Sequence, residues 1–404
     1  MKTSFALYLV VIFFFITSCL SKSKVEDQLG CIDITKNYPE KEILLTDIAD
    51  ITYLHLNTDD DTYLYKGSIS CLTKNTIVVV DNVSGSILFF FKNGTPKSRF
   101  NHKGQGPGEY RNIPDCVIYD EEENEVFISI NSVIHVYSSI GEYKRTLTLP
   151  KGTWILPKEL ILFDDNSLIL FNFMTWFERD YAIFKGKNLP TEDFILRFYR
   201  ISKTDGGVLD TIKLSGTQLL PKLGIYYNER WISPASRHIV KCAEGVLLGN
   251  PGTDTIFLYK DDRSLNPVLY QTPSVSSRNP VEYLDLYLEM GQYQFIKVIV
   301  ARESDNVSNM YDGFFPAKYY MRNKKTGEIA RPKLFLPDYK GKEFIISPTE
   351  PNGRDYVNSY IFTLDLYELK QAYRENKLSG KLKELVATLK EDEDNDVFMI
   401  VNFK

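Results

Sequence analysis

A β-branched run, a polar turn, a second apolar run and a glycine turn follow one another over residues 76–94 (Thr-Ile-Val-Val-Val-Asp, then Ile-Leu-Phe-Phe-Phe, then Lys-Asn-Gly). The same order returns at 125–131 with 133–137 and Gly141, at 167–172 with 194–201 and Gly206, at 245–250 with 255–259 and Asp262, and at 294–301 with 317–322 and Gly327. The turn markers lie roughly 47 to 65 residues apart, about 58 on average, slightly above the periods of WD40 and kelch repeats. That spacing accommodates four short strands per unit. Four-stranded sheets repeated radially and closed on themselves leave few open edges, which is the β-propeller solution to the edge problem.

Five markers plus a final unit predict an all-β chain, a six-bladed β-propeller with a helical hairpin inserted in the last blade. The final unit is distinctive because 356–364 and 397–403 read as strands, whereas 365–375 and 381–389 carry leucines at helical spacing, interrupted at Ser379-Gly380. The helical insertion is predicted over about 365–390. A strand within 43–56 is expected to complete a blade with the C-terminal end.

The first residues address the chain to a compartment. Lys2 precedes an apolar run, 5–18, that is shorter than the ~20 residues a membrane-spanning helix needs, so 1–18 reads as a signal peptide. Ile16-Thr17-Ser18-Cys19 resembles a bacterial lipobox, which implies acylation of Cys19 and membrane attachment through it. Residues 19–30 then form a lipidated polar tether and 31–404 the propeller. The expected location is the cell envelope, as a lipoprotein of the outer membrane on its periplasmic or surface face.

Charge and motifs exclude several functions. The net charge is −5, and loss of Lys2 makes the mature chain more negative still, which argues against nucleic acid as a partner. Cys31, Cys71, Cys116 and Cys242 are too few for a disulfide scaffold and read as free thiols, with one or two disulfides left open. No C-x-x-C, H-E-x-x-H or G-x-S-x-G is present, so neither a zinc site nor a serine-hydrolase elbow is indicated. Asn57, Asp59 and Asp61 alternate as in a calcium loop but lack its glycine and distal glutamate, so they read as a solvated turn. No cofactor is implied, and calcium is the one metal left open.

The densest glycine segment is Gly104-Gln105-Gly106-Pro107-Gly108-Glu109-Tyr110. Together with the Gly94 turn before it and the acidic 391–396 leading into 397–404, it resembles the six-bladed β-propeller lipoproteins of Gram-negative anaerobes, a family mostly of unknown function. The likeness spans nearly the whole mature chain and is strongest around 100–150 and at the C-terminus; Asp396 stands where that family often has proline. The resemblance implies a fold and a compartment, and no catalytic residues.

In a propeller, the connections from an outer strand to the next inner strand, and from second to third strands, open on one face around the axis. Residues 104–111 are of the first kind; 82–86, 131–132, 173–179, 250–254 and 302–312 are of the second. Candidate ligand-binding residues are therefore His102, Glu109, Tyr110, Arg111, Trp176 and Arg179. The alternative for the glycine loop is that it caps a blade-to-blade crossing, with Glu109 accepting backbone N–H groups. A phosphate cradle is disfavoured because Lys103 precedes the glycines instead of following them. Trp176 and the 226–231 segment offer aromatic plates for a sugar or peptide, although most of the 26 Tyr and 25 Phe must pack blades. The expected function is a lipid-anchored, non-catalytic binding or interaction module for a glycan, peptide or partner protein. The alternative is a glycan hydrolase or lyase using paired carboxylates in the channel.

Overall fold

The computed structural model describes residues 29–58, 61–149, 157, 159–172, 196–214, 225–227, 230–232, 236–249, 253–301, 315–347, 357–391 and 393–404. Cys19, Trp176 and Arg179 lie outside these. Blade one consists of Gly67–Leu72, Thr76–Asp81, Ile87–Phe91 and Pro96–Phe100, antiparallel and in that spatial order. Blade two is Cys116–Asp120, Glu125–Ile130, Val133–Tyr137 and Tyr143–Leu147, and blade three is Glu159–Asp164, Ser167–Phe171, Leu196–Ser202 and Val208–Leu214. Blade four, Ile239–Cys242, Gly245–Leu248, Thr255–Tyr259 and Leu265–Thr272, gains a fifth strand from the N-terminus, Gly30–Asp33, parallel to its last. In blade five, Val281–Leu284 and Leu288–Met290 share one edge of Tyr293–Ala301, followed by Ala317–Asn323 and Ile329–Leu336. Glu40–Leu44 and Tyr339–Phe344 also pair with Ile329–Leu336.

The last unit is a three-stranded closing sheet, Ser359–Leu364, Val397–Phe403 and Ala49–His55. The expectation of six blades is thus corrected to five blades of four or more strands. The physical reason is local: between its first two strands the closing unit spends its residues on the helices Leu366–Arg374 and Gly380–Thr388. Asp365 caps the first helix by accepting from the N–H of Glu368 at 2.8 Å. The helical pair and the N-terminal strand on the C-terminal sheet are as the leucine spacing and the 43–56 run predict. No helix among the described residues is long and apolar enough to cross a membrane.

Blades pack face to face, which explains the two kinds of strand in the sequence. Thr76–Asp81 and Ser167–Phe171 are buried throughout because both their faces meet neighbouring sheets, so they read as near-continuous apolar runs. Outer strands such as Pro96–Phe100 alternate with solvent. One apolar cluster joins blades one and two through Phe89, Tyr119 and Ile128, a second joins two and three, and a third joins three and four through Phe171, Phe198 and Val246. A large cluster spans blades four, five and the closing sheet, and Leu54, Ile361 and Phe398 return the packing to blade one. The ring is closed. Each fully buried phenylalanine in these interfaces stabilises it by roughly 1.5–3 kcal/mol.

The glycine markers have a second role beyond turning the chain. Gly94, Gly141, Gly206 and Gly327 all join third to fourth strands with positive φ (87°, 86°, 82° and 73°), and at the Asp262 turn Arg263 takes φ 67°. The first three turns also press on the outer-strand end of the preceding sheet. A Cβ on Gly94 would fall 2.2 Å from the carbonyl oxygen of His55, one on Gly141 2.6 Å from Phe100 Cβ, and one on Gly206 2.9 Å from Leu147 Cβ. Each contact carries a hydrogen bond: Asn57 N–H to Gly94 O (2.9 Å), Thr148 N–H to Asp205 O (2.8 Å), and the His102 imidazole Nε2 to Gly141 O (2.6 Å). A Cβ on Gly327 meets nothing within 4 Å, so among the described residues this latch has no counterpart between blades four and five.

Candidate binding cleft

The glycine loop links the outer strand of blade one to the inner strand of blade two, and its polar groups are largely satisfied within the protein. Glu109 Oε2 accepts from the N–H of Gly106 at 2.7 Å, and a Cβ on Gly104 would fall 2.0 Å from that same oxygen, so the glycine admits the carboxylate beneath the loop. Tyr110 is 1% exposed; its hydroxyl donates to Gly85 O (2.9 Å) and accepts from the N–H of His102 (3.1 Å). His102 stacks on Tyr137 at 5.2 Å, and the Tyr137 hydroxyl donates to Gly108 O. Arg111 is exposed. The loop therefore brings His102, Glu109 and Tyr110 together as a clasp between two blades.

A second polar group gathers where inner strands begin. Glu159 opens the inner strand of blade three; its Oε2 accepts from the N–H of His238 (2.9 Å) and Ile239 (3.0 Å), and its Oε1 lies 2.7 Å from His238 Nδ1. The His238 ring stacks on Phe171 at 3.8 Å. Burial raises the Glu159 carboxyl, but the opposing charge and hydrogen bonds of His238 outweigh it and hold the pKa below the usual range. Asp285 sits between the two short inner strands of blade five, its side chain fully buried. Its Oδ1 accepts from the N–H of Arg237 (3.1 Å) and Leu286 (2.9 Å), while Oδ2 has no hydrogen-bond donor and faces Lys297 Nζ at 3.9 Å. Burial pushes the Asp285 carboxyl up to about 6, against the pull of Lys297. These carboxylates tie blades three, four and five together through main-chain donors. Among the described residues no cluster of three or more His, Cys, Asp or Glu is arranged to hold a metal ion.

An open cleft lies elsewhere. Between blades four and five, towards the ends of the inner strands opposite His238, is a cleft of about 860 Å³. Its walls include Lys260, Arg322, Lys324 and Lys325, the carboxylates Glu244 and Glu289, and an apolar patch from Leu258, Pro267 and Val268. Glu289 is neutralised by Lys324 at 2.5 Å, so the remaining balance is positive. The cleft coincides with the missing Gly327 latch and with the extra strand Gly30–Asp33 on the edge of blade four. Cys242 lines it as a buried thiol whose pKa is raised to about 11, chiefly by desolvation. Cys71 and Cys116 are buried, with their thiols towards the carbonyl oxygens of Tyr119 and Leu160, and Cys31 is partly exposed.

None of the cleft residues is prominent in the sequence. Lys324, Lys325 and Thr326 look like ordinary turn residues before Gly327, and Arg322 like an outward residue of an alternating strand. The 226–231 segment forms the hairpin Ile225–Tyr227 with Arg230–Ile232.

The sequence matches the family model described as a domain of unknown function, DUF4934, over residues 29–402. No curated protein matches it. Among solved structures it is similar to a Bacteroides fragilis NCTC 9343 protein described as exported (16% identity, covering 91% of this chain and 99% of that one, TM-score 0.59). It is also similar to a DUF4221 family member from Bacteroides vulgatus ATCC 8482 (11% identity, 88% and 98% covered, TM-score 0.44). The first likeness supports the propeller fold. With nearly the whole described chain inside the family model, the protein belongs to the DUF4934 family.

Proposed function

We propose that this chain is a non-catalytic binding module of the cell envelope, anchored through acylated Cys19, which takes its ligand in the cleft between blades four and five. The observation that carries the reading is the cleft itself. It is within the roughly 300–1,000 Å³ typical of ligand sites and combines an apolar wall with Lys260, Arg322 and Lys325, which form no ion pair among the described residues. The carboxylates nearer the axis support catalysis less well, because Glu159 and the Oδ1 atom of Asp285 are committed to main-chain N–H groups.

The test uses the full-length chain in detergent, screened by thermal shift against neutral and acidic oligosaccharides and short peptides. A bound compound should raise the melting temperature, and Val268→Trp, which fills the cleft from a partly exposed strand position, should abolish that rise while leaving the unliganded melting temperature nearly unchanged. Binding that persists in Val268→Trp would place the ligand elsewhere. Cys19→Ala should release the protein from membranes; continued membrane retention would reject the anchor.

A further inference from the structure

We infer that the cleft takes an acidic oligosaccharide, with a sugar carboxylate held by Arg322; this rests on the cleft being the binding site. Arg322 Nη1 donates to Gln294 Oε1 at 2.9 Å, and Gln294 is only 4% exposed, so the guanidinium is held from behind by a group that cannot swing away. On its other side runs the N-terminal strand. A Cβ on Gly30 would fall 2.7 Å from Arg322 Nη1 and 2.9 Å from Leu269 Cδ1, so a glycine stands where the guanidinium needs the space.

Among the described residues no carboxylate lies within ion-pair distance of Arg322, whereas neighbouring Lys324 is paired with Glu289. A partly buried, positioned guanidinium without a counter-charge is half of a charge-assisted fork, which a ligand carboxylate completes with two parallel hydrogen bonds. Lys260 and Lys325 reinforce the attraction at longer range.

The surroundings favour a sugar over a peptide. Gly30–Asp33 takes the 269–272 part of the neighbouring strand edge, and over the 265–268 part beside the cleft Pro267 has no main-chain N–H to offer, so the edge is a poor template for an extended peptide. Pro267 and Val268 provide apolar surface for a ring face, and Asn266 and Thr326 provide an amide and a hydroxyl for ring hydroxyls.

Calorimetric titration of the full-length chain with a galacturonic acid trisaccharide, its neutral galactose counterpart and penta-glutamate, at low and high salt, tests this. The acidic trisaccharide should bind more tightly than the neutral one, and salt should weaken it. Arg322→Gln should weaken it roughly tenfold to a hundredfold, with Arg322→Lys restoring only part because it lacks the planar fork. Lys325→Gln, an exposed change that the fold tolerates, should weaken the acidic ligand alone.

Equal affinity for both trisaccharides, unaffected by Arg322→Gln but abolished by Val268→Trp, would overturn the carboxylate assignment and leave the cleft standing. Binding that survives Val268→Trp would overturn both. Tighter binding of penta-glutamate would overturn the sugar.

Discussion

Gly94→Ala should destabilise the fold by roughly 3–5 kcal/mol, whereas Gly327→Ala, at the equivalent turn of blade five, should cost only about 1–2 kcal/mol. Both residues have positive φ, 87° and 73°, so both substitutions carry the left-handed penalty of an L side chain. They differ in what the new methyl group meets. At Gly94 it falls 2.2 Å from a main-chain oxygen, that of His55, which cannot retreat without breaking the Ala49–His55 strand from its neighbour and the Asn57 N–H bond to Gly94 O. At Gly327 there is open space. Urea unfolding of the two variants separates local turn strain from loss of the inter-sheet latch. Equal losses would mean that the turns act only locally and that the latch contributes nothing.

The stability of Asp285→Asn relative to the wild type should rise by roughly 2–3 kcal/mol between pH 4 and neutral pH. The folded protein raises this carboxyl from 3.8 to about 6, chiefly by burial. An acid with a raised folded pKa contributes stability while pH is below its unfolded value, and that contribution is lost as pH climbs through the folded value. The wild type therefore loses this contribution between about pH 4 and pH 7, while asparagine does not titrate. Asparagine keeps an oxygen to accept from the N–H groups of Arg237 and Leu286, so the joint between blades four and five survives. Lys297 at 3.9 Å, Arg237 and His238 are the charged or titratable neighbours, and the pull of Lys297 does not offset the burial. Urea titrations at pH 4.5, 6 and 7.5 read the difference. An Asn variant whose relative stability falls over that range would show that the pair with Lys297 is net stabilising.

The repeat was legible because a blade's second strand is buried on both faces and its third-to-fourth turn needs a positive φ. Thr76–Asp81 and Ser167–Phe171 announce the first, and Gly94, Gly141, Gly206 and Gly327 the second. The blade count failed where that periodicity ends, because the helices Leu366–Arg374 and Gly380–Thr388 occupy the middle of the closing unit. The candidate site was less legible. Dense glycine at 104–108 signals crowded backbone, and the crowding here comes from the protein itself: Glu109 folds under Gly104, and Tyr110 and Tyr137 hydrogen-bond to backbone carbonyls. His102 has the same role as the main-chain donors Asn57 and Thr148 at the equivalent joints. The cleft was invisible for a different reason. It depends on Gly30 and Arg322, brought together from opposite ends of the chain by a strand added to the outer edge of blade four, and no local pattern records such a pairing.

Hydrogen exchange measured by mass spectrometry, with and without saturating galacturonic acid trisaccharide, tests the location of binding most directly. Slowed exchange confined to 258–268 and 322–327 is the predicted result. Protection at 102–111 with none at 322–327 would return the site to the glycine loop and contradict the assignment of the cleft.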